Sequence, residues 1–180
     1  MLILAKTDSV RQAFDTTGPT TKPFSPQMSI QVPRVSQVAF TADEDVLVIS
    51  AEDGGGLAVY EVHSLLQGVK KEIFQLGTNG MSIRGLVPNP MPESAEYLAA
   101  VTNRGQLMLA NLKTRQLMSG TNGPVLKDNV SCVSWSAKGK QLIAGLGDGT
   151  AYQMTPSGEN KAIIPRPPAI NGDIYGTNEL

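Results

Sequence analysis

Few residues in this chain have the chemical means for catalysis. One histidine, His63, and one cysteine, Cys132, stand among 180 residues. A Ser-His-Asp constellation would have to use His63, which follows a strand-like run with no nucleophile motif around it. A zinc centre needs three or four ligands, mostly Cys and His, and the chain offers two such residues. Cys132 sits in an alternating run, where a buried small hydrophobe is expected rather than a reactive thiol. Gly54-Gly-Gly56 and Gly145-Leu-Gly-Asp-Gly149 have the composition of phosphate cradles. Such a cradle opens a helix whose amides face the anion, whereas both of these lead into alternating runs and read as turns. Lys138 and Lys140 share a turn without the aromatic platform that single-stranded nucleic acid stacks on. Asn129-Val-Ser131 has the letters of a glycosylation acceptor but begins a core strand, and Pro23-Phe-Ser-Pro26 reads as a stiff connector. The expectation is a non-enzymatic chain with no metal, no cofactor and no direct contact with nucleic acid or membrane.

The elements carrying these residues are strands, and they repeat. Val130 to Trp135 alternates and is rich in β-branched residues, Ser136-Ala-Lys-Gly139 supplies a turn, and Gln141 to Leu146 is an aliphatic run. Gly147-Asp-Gly149 turns again before an alternating segment from Thr150 to Thr155. The same order recurs from Val38 to Val62, and from Ile83 to Leu112 with a longer first turn. Taking the large apolar residue that ends each first strand, Phe40, Leu86 and Trp135 are spaced by 46 and 49 residues. Fourth strands are expected at Glu72 to Leu76, about Gly123 to Leu126, and Asn160 to Ile164. Four strands per period of about 40–50 residues is the pattern of a β-propeller blade. The fold class is therefore all-β: three four-stranded blades over 35–76, 81–126 and 130–168, part of another over 1–33, and a tail at 169–180.

At the start, Met1 to Ala5 reads as the third strand of a blade, Thr7 to Phe14 as a short helix that Asp8 can cap, and Met28 to Val32 as a strand. His63 to Gly68 reads as a second short helix. Because closed propellers have about 4–8 blades, the chain is expected to be part of a larger one. No apolar run approaches the ~20 residues of a membrane span. The net charge of −1 gives no bulk attraction to nucleic acid or anionic lipid.

The run from Val130 to Pro168, above all Cys132 to Leu142 and Ile163-Ile-Pro-Arg-Pro-Pro168, closely resembles the N-terminal propeller of the cytoplasmic-face nucleoporins that recruit an mRNA-export DEAD-box helicase. Val38 to Asp45 and Asn89-Pro-Met-Pro92 are similar too, and the likeness covers about residues 1–172. The resemblance implies a seven-bladed parent domain at the cytoplasmic face of the nuclear pore complex. It implies a rim that docks the helicase over its RNA-binding face, and contacts to other pore proteins through segments outside this chain. The third strands end in Tyr60-Glu61, Asn111-Leu112 and Gln153-Met154 rather than the Trp-Asp of WD40 blades.

Turns joining strands two to three and four to one must emerge on one rim. That rim receives Glu52, Asp53, Asn79, Asn103, Arg104, Asn122, Asp128 and Asp148. Four acids against one base suit a basic helicase surface, so Glu52, Asp53, Asn79, Arg104, Asp128 and Asp148 are the candidate partner-binding residues. The opposite rim, with Asp43, Glu44, Asp45, Glu93 and Glu96 against Lys138 and Lys140, is the rival. A generic propeller adaptor for another complex is the alternative function.

Overall fold

The computed structural model describes residues 2–4, 28–32, 34–120 and 123–168. Three antiparallel meanders of four strands follow one another in sequence order. The first comprises β3 (Val35–Phe40), β4 (Val46–Ala51), β5 (Leu57–Glu61) and β6 (Phe74–Leu76). The second comprises β7 (Ile83–Pro88), β8 (Tyr97–Thr102), β9 (Leu107–Asn111) and β10 (Gln116–Leu117). The third comprises β11 (Val130–Trp135), β12 (Leu142–Leu146), β13 (Ala151–Met154) and β14 (Asn160–Ile164). Ahead of them β1 (Leu2–Leu4) pairs antiparallel with β2 (Met28–Ile30). A short helix, α1 (Val62–Leu66), connects β5 to β6. The expected helix at Thr7 to Phe14 and the tail at 169–180 lie outside the described residues.

The sheets stack face to face as blades, which explains why their second strands are aliphatic runs rather than alternating ones. A strand buried on both faces has no polar side to present. In β4, Leu47 and Ile49 pack with Ile30, while Val48 faces the second meander. In β8, Leu98 and Ala100 face the first meander, and Ala99 and Val101 face the third. Met108 and Leu109 divide between the same two neighbours. Each fully buried Leu, Val or Met at these junctions contributes about 1.5–3 kcal/mol. The all-β propeller architecture expected from the repeats is therefore the observed one.

The repeat is more regular in three dimensions than in sequence. Strand one of each meander is broken by a bulge at the same place, between Val35 and Gln37, Ile83 and Gly85, and Val130 and Cys132. The residues that end these strands in matching register are Phe40, Pro88 and Trp135, spaced by 48 and 47. Leu86 was the wrong anchor, because β7 continues two residues past it to Pro88.

Two further expectations need correction. The fourth strand of the second meander begins at Gln116–Leu117, not near Gly123. It pairs with Asn111 and Ala110, leaves the sheet after Met118, and rejoins where Lys127 bridges Leu107. Only the second half of an interrupted edge strand had been anticipated. Cys132, expected to be buried, is exposed. The bulge after Val130 resets the alternation, so that Val130, Val133 and Trp135 face the core while Cys132 lies over Gly145 on the opposite face.

Candidate functional site

Strand-one bulges leave backbone carbonyls of strand two to be satisfied, and in each meander the bulged side chain does so. Ser36 Oγ donates to Ser50 O at 3.2 Å, Arg84 Nε to Thr102 O at 3.1 Å, and Ser131 Oγ to Gly145 O at 3.0 Å. Just outside, the turn from strand two to strand three is latched to the residue that enters strand one. Glu52 N donates to Arg34 O at 2.8 Å, Asn103 N to Ser82 O at 2.9 Å and Gly147 N to Asn129 O at 2.9 Å. The three latches repeat with the blades and hold the candidate residues on one rim.

The residues on that rim form one cluster per blade. In the first, Glu52 and Asp53 are exposed, Ser82 Oγ donates to Glu52 O, and exposed Asn79 stands in the following turn at φ 53°. In the second, exposed Arg104 precedes Gln106, whose amide donates to Asp128 at 3.0 Å. In the third, Asp148 Oδ1 accepts from Thr150 N at 2.9 Å and Thr150 Oγ1 at 2.6 Å. Those hydrogen bonds from Thr150 hold the Asp148 carboxyl below the usual carboxylate range. Within the described residues none of the four rim carboxylates forms an ion pair, and the one pair found is Lys161–Glu159 at 3.7 Å. Asn122 lies outside the described residues.

The charge balance of the rim differs from the expected four acids against one base. Exposed Arg34 supplies the first latch carbonyl, and the Arg166 side chain lies against Gly149. Arg34 escaped the count because it precedes a strand in sequence rather than standing in a turn. Arg166 escaped it because the chain must pass β14 before returning to this rim. The surface is thus mixed, with carboxylates in every cluster and three arginines among them.

Sequence reasoning anticipates Trp135 at a blade interface but misses the hydrogen bonds that stitch blades together. Arg84 Nη2 donates across the junction to Val130 O at 2.6 Å and Ser131 O at 3.0 Å. Trp135 Nε1 donates back to Val87 O at 2.9 Å, with the indole half-buried against the second junction. Fully buried Asn89 donates from Nδ2 to Gly139 O at 2.7 Å and accepts from Met91 N at 3.1 Å. Lys127 places its ammonium 3.6 Å from the centre of the Tyr152 ring. The signal was present as polar residues at one position of each first strand, Ser36, Arg84 and Ser131, spaced by 48 and 47.

The sequence is matched by known proteins. The family model described as the NUP159/214 beta propeller matches residues 1–178. The chain is 54% identical over 176 residues to nucleoporin NUP159 of Chaetomium thermophilum, covering 96% of this chain and 12% of that protein. It is 29% identical over 143 residues to nucleoporin nup146 of Schizosaccharomyces pombe, covering 79% of this chain and 10% of that protein. A shorter stretch of 44 residues is 46% identical to the nuclear pore complex protein Nup214 of Homo sapiens, covering 24% of this chain and 2% of that protein. The chain thus spans about a tenth of the length of the two fungal relatives. A bladed all-β stack with this repeat, matched along nearly all of its length, belongs to the NUP159/214 β-propeller family.

Proposed function

We propose that this chain is a non-enzymatic docking platform of the nuclear pore complex, acting at its cytoplasmic face. Its partner is a DEAD-box RNA helicase of mRNA export, held on the rim of the latched turns. The observation that carries this reading is the family match over residues 1–178, together with relatives that are nucleoporins. A pre-latched rim supports it physically, since turns already fixed by backbone bonds lose little freedom on binding. Carboxylates in each cluster complement a surface built to hold phosphates, so RNA and the rim compete for the same face of the helicase. The test is capture of purified helicase by this protein with and without excess single-stranded RNA. Specific capture that RNA displaces supports the reading. Failure to capture, or capture indifferent to RNA, points to a generic propeller adaptor instead.

A further inference from the structure

A cleft of 270 Å³ opens between the first and second meanders, on the rim opposite the latched turns. Its apolar walls are Val46, Val59, Phe74 and Leu112, drawn from both blades. On one bank stands Ile73, 45% exposed. The same connection carries two more exposed aliphatics, Leu66 and Val69. The cleft's charged lining is Asp43, Glu96 and Lys113. Asp43 is fixed through one oxygen, Oδ1, which accepts from Thr41 Oγ1 at 2.5 Å and from Asp45 N at 3.3 Å. Its other oxygen takes no donor among the described residues, and neither Asp43 nor Glu96 is in an ion pair there. Glu44 and Asp45 continue the Asp43 turn, and Glu93 follows lining residue Pro92. On the cationic side Arg115 is held over the Phe74 ring at 5.2 Å, while Lys70 and Lys71 of the Ile73 connection do not line the cleft.

We propose that this cleft binds a linear peptide carrying an apolar side chain next to a lysine or arginine. The apolar side chain fills the space between Val59, Phe74 and Leu112, and the cation lies against Asp43 and Glu96. A cavity lined mainly by apolar groups with a few polar ones is the ordinary form of such a site, and the carboxylates at its mouth set which sequence enters. An extended chain places one side chain in the cleft and the next at the brim. This site is independent of the helicase reading, whose residues occupy the other rim.

The test is fluorescence polarisation on the intact protein with a labelled peptide Gly-Ser-Arg-Phe-Leu-Arg-Ser-Gly, alongside versions in which Glu replaces both Arg or Ser replaces Phe-Leu. The Arg peptide is expected to bind saturably, and each altered peptide about tenfold more weakly. Glu96→Lys should weaken the Arg peptide about tenfold, and Ile73→Ser by a smaller factor, with thermal melting showing that both remain folded. Glu96→Gln stands in if Glu96→Lys does not fold, and Glu52→Lys on the other rim should leave binding unchanged. Equal binding of the Arg and Glu peptides, no saturable binding, or indifference to the change at Glu96 overturns the proposal.

Discussion

Trp135 combines apolar contact and a hydrogen bond across a blade junction, and the two can be separated. Trp135→Ala removes both, and for a half-buried indole the loss should be about 3 kcal/mol. Trp135→Phe keeps a ring and leaves Val87 O without its donor, which should cost about 1 kcal/mol. Urea melts of the two variants give both values, and a loss below about 1 kcal/mol for Trp135→Ala would remove the indole from the list of blade staples. Tyr60 makes a different prediction. Burial among Ile30, Leu47, Ile49 and Leu65, then the nearby Glu72 carboxylate, push its phenol above the ordinary value of 10.0. A raised folded pKa contributes stability that is complete below pH 10 and is lost as pH rises through the folded value. Tyr60→Phe should therefore flatten the fall in melting temperature between pH 9 and 11. An unchanged alkaline fall would show that the phenol does not titrate with unfolding. At this scale the sequence was readable where side-chain type alone decides, as for Trp135, and misleading where a bulge reverses parity, as for Cys132.

The repeated unit is a strand-one bulge, a latched turn and a polar residue closing the turn between strands one and two. Thr41, Asn89 and Ser136 occupy that last position, each donating its backbone N–H to strand two or the residue leading into it. In the second meander Asn89 also reaches the Gly139 turn of the third, where Gly139 has φ 62°. A Cβ at Gly139 would run into the Asn89 carboxamide, and a left-handed backbone is itself unfavourable for alanine. Gly139→Ala should cost about 2–4 kcal/mol, more than Gly68→Ala, where φ is also positive but no atom stands within 4 Å. Comparable losses at the two glycines would mean that the Asn89 stitch adds nothing beyond backbone conformation. Second strands were legible as continuous aliphatic runs, and third strands as alternating segments that follow a glycine-bearing turn. The fourth strand of the second meander was not, because Gly120 and Gly123 divide it and pairing with β9 resumes only at Leu126 and Lys127.

At the scale of the molecule, stability comes from stacking, since each blade buries its faces only against its neighbours. The outermost strand of the third meander is exposed throughout, with Ile163 and Ile164 at 60% and 48%. At the inner strand of the first meander, Val38 and Phe40 are also open, at 45% and 44%. Exposed aliphatics on an unpaired strand edge favour association. The 180-residue chain produced alone should self-associate, and Ile163→Lys with Ile164→Glu should lower its apparent mass in light scattering. A monomer with a sharp melt before any substitution would contradict this.

The central claim is that the rim of latched turns meets a basic helicase surface, and it is tested most directly by association kinetics. Glu52, Asp53, Asp128 and Asp148 are exposed and outside ion pairs within the described residues. In their joint reversal to Lys, Glu52→Lys should cost no more than about 0.5 kcal/mol of stability. Asp53 and Asp128, which accept hydrogen bonds from Gly55 and Gln106, should cost about 1 kcal/mol each. Asp148, which accepts from Thr150, adds to a loss that thermal melting of the joint variant measures. Asp148 stays ionised well into acid, so its share of the rim charge is constant through pH 5–8. Rim charges act mainly on the encounter rate and are screened by salt. Stopped-flow binding of the purified helicase to the intact protein should slow about tenfold on this reversal, and its rate should lose most of its dependence on ionic strength. The matching reversal of Asp43, Glu44 and Asp45 on the other rim should leave both unchanged. An unaltered rate and salt slope for the first set, with binding abolished by the second, would place the helicase on the opposite rim and contradict the account.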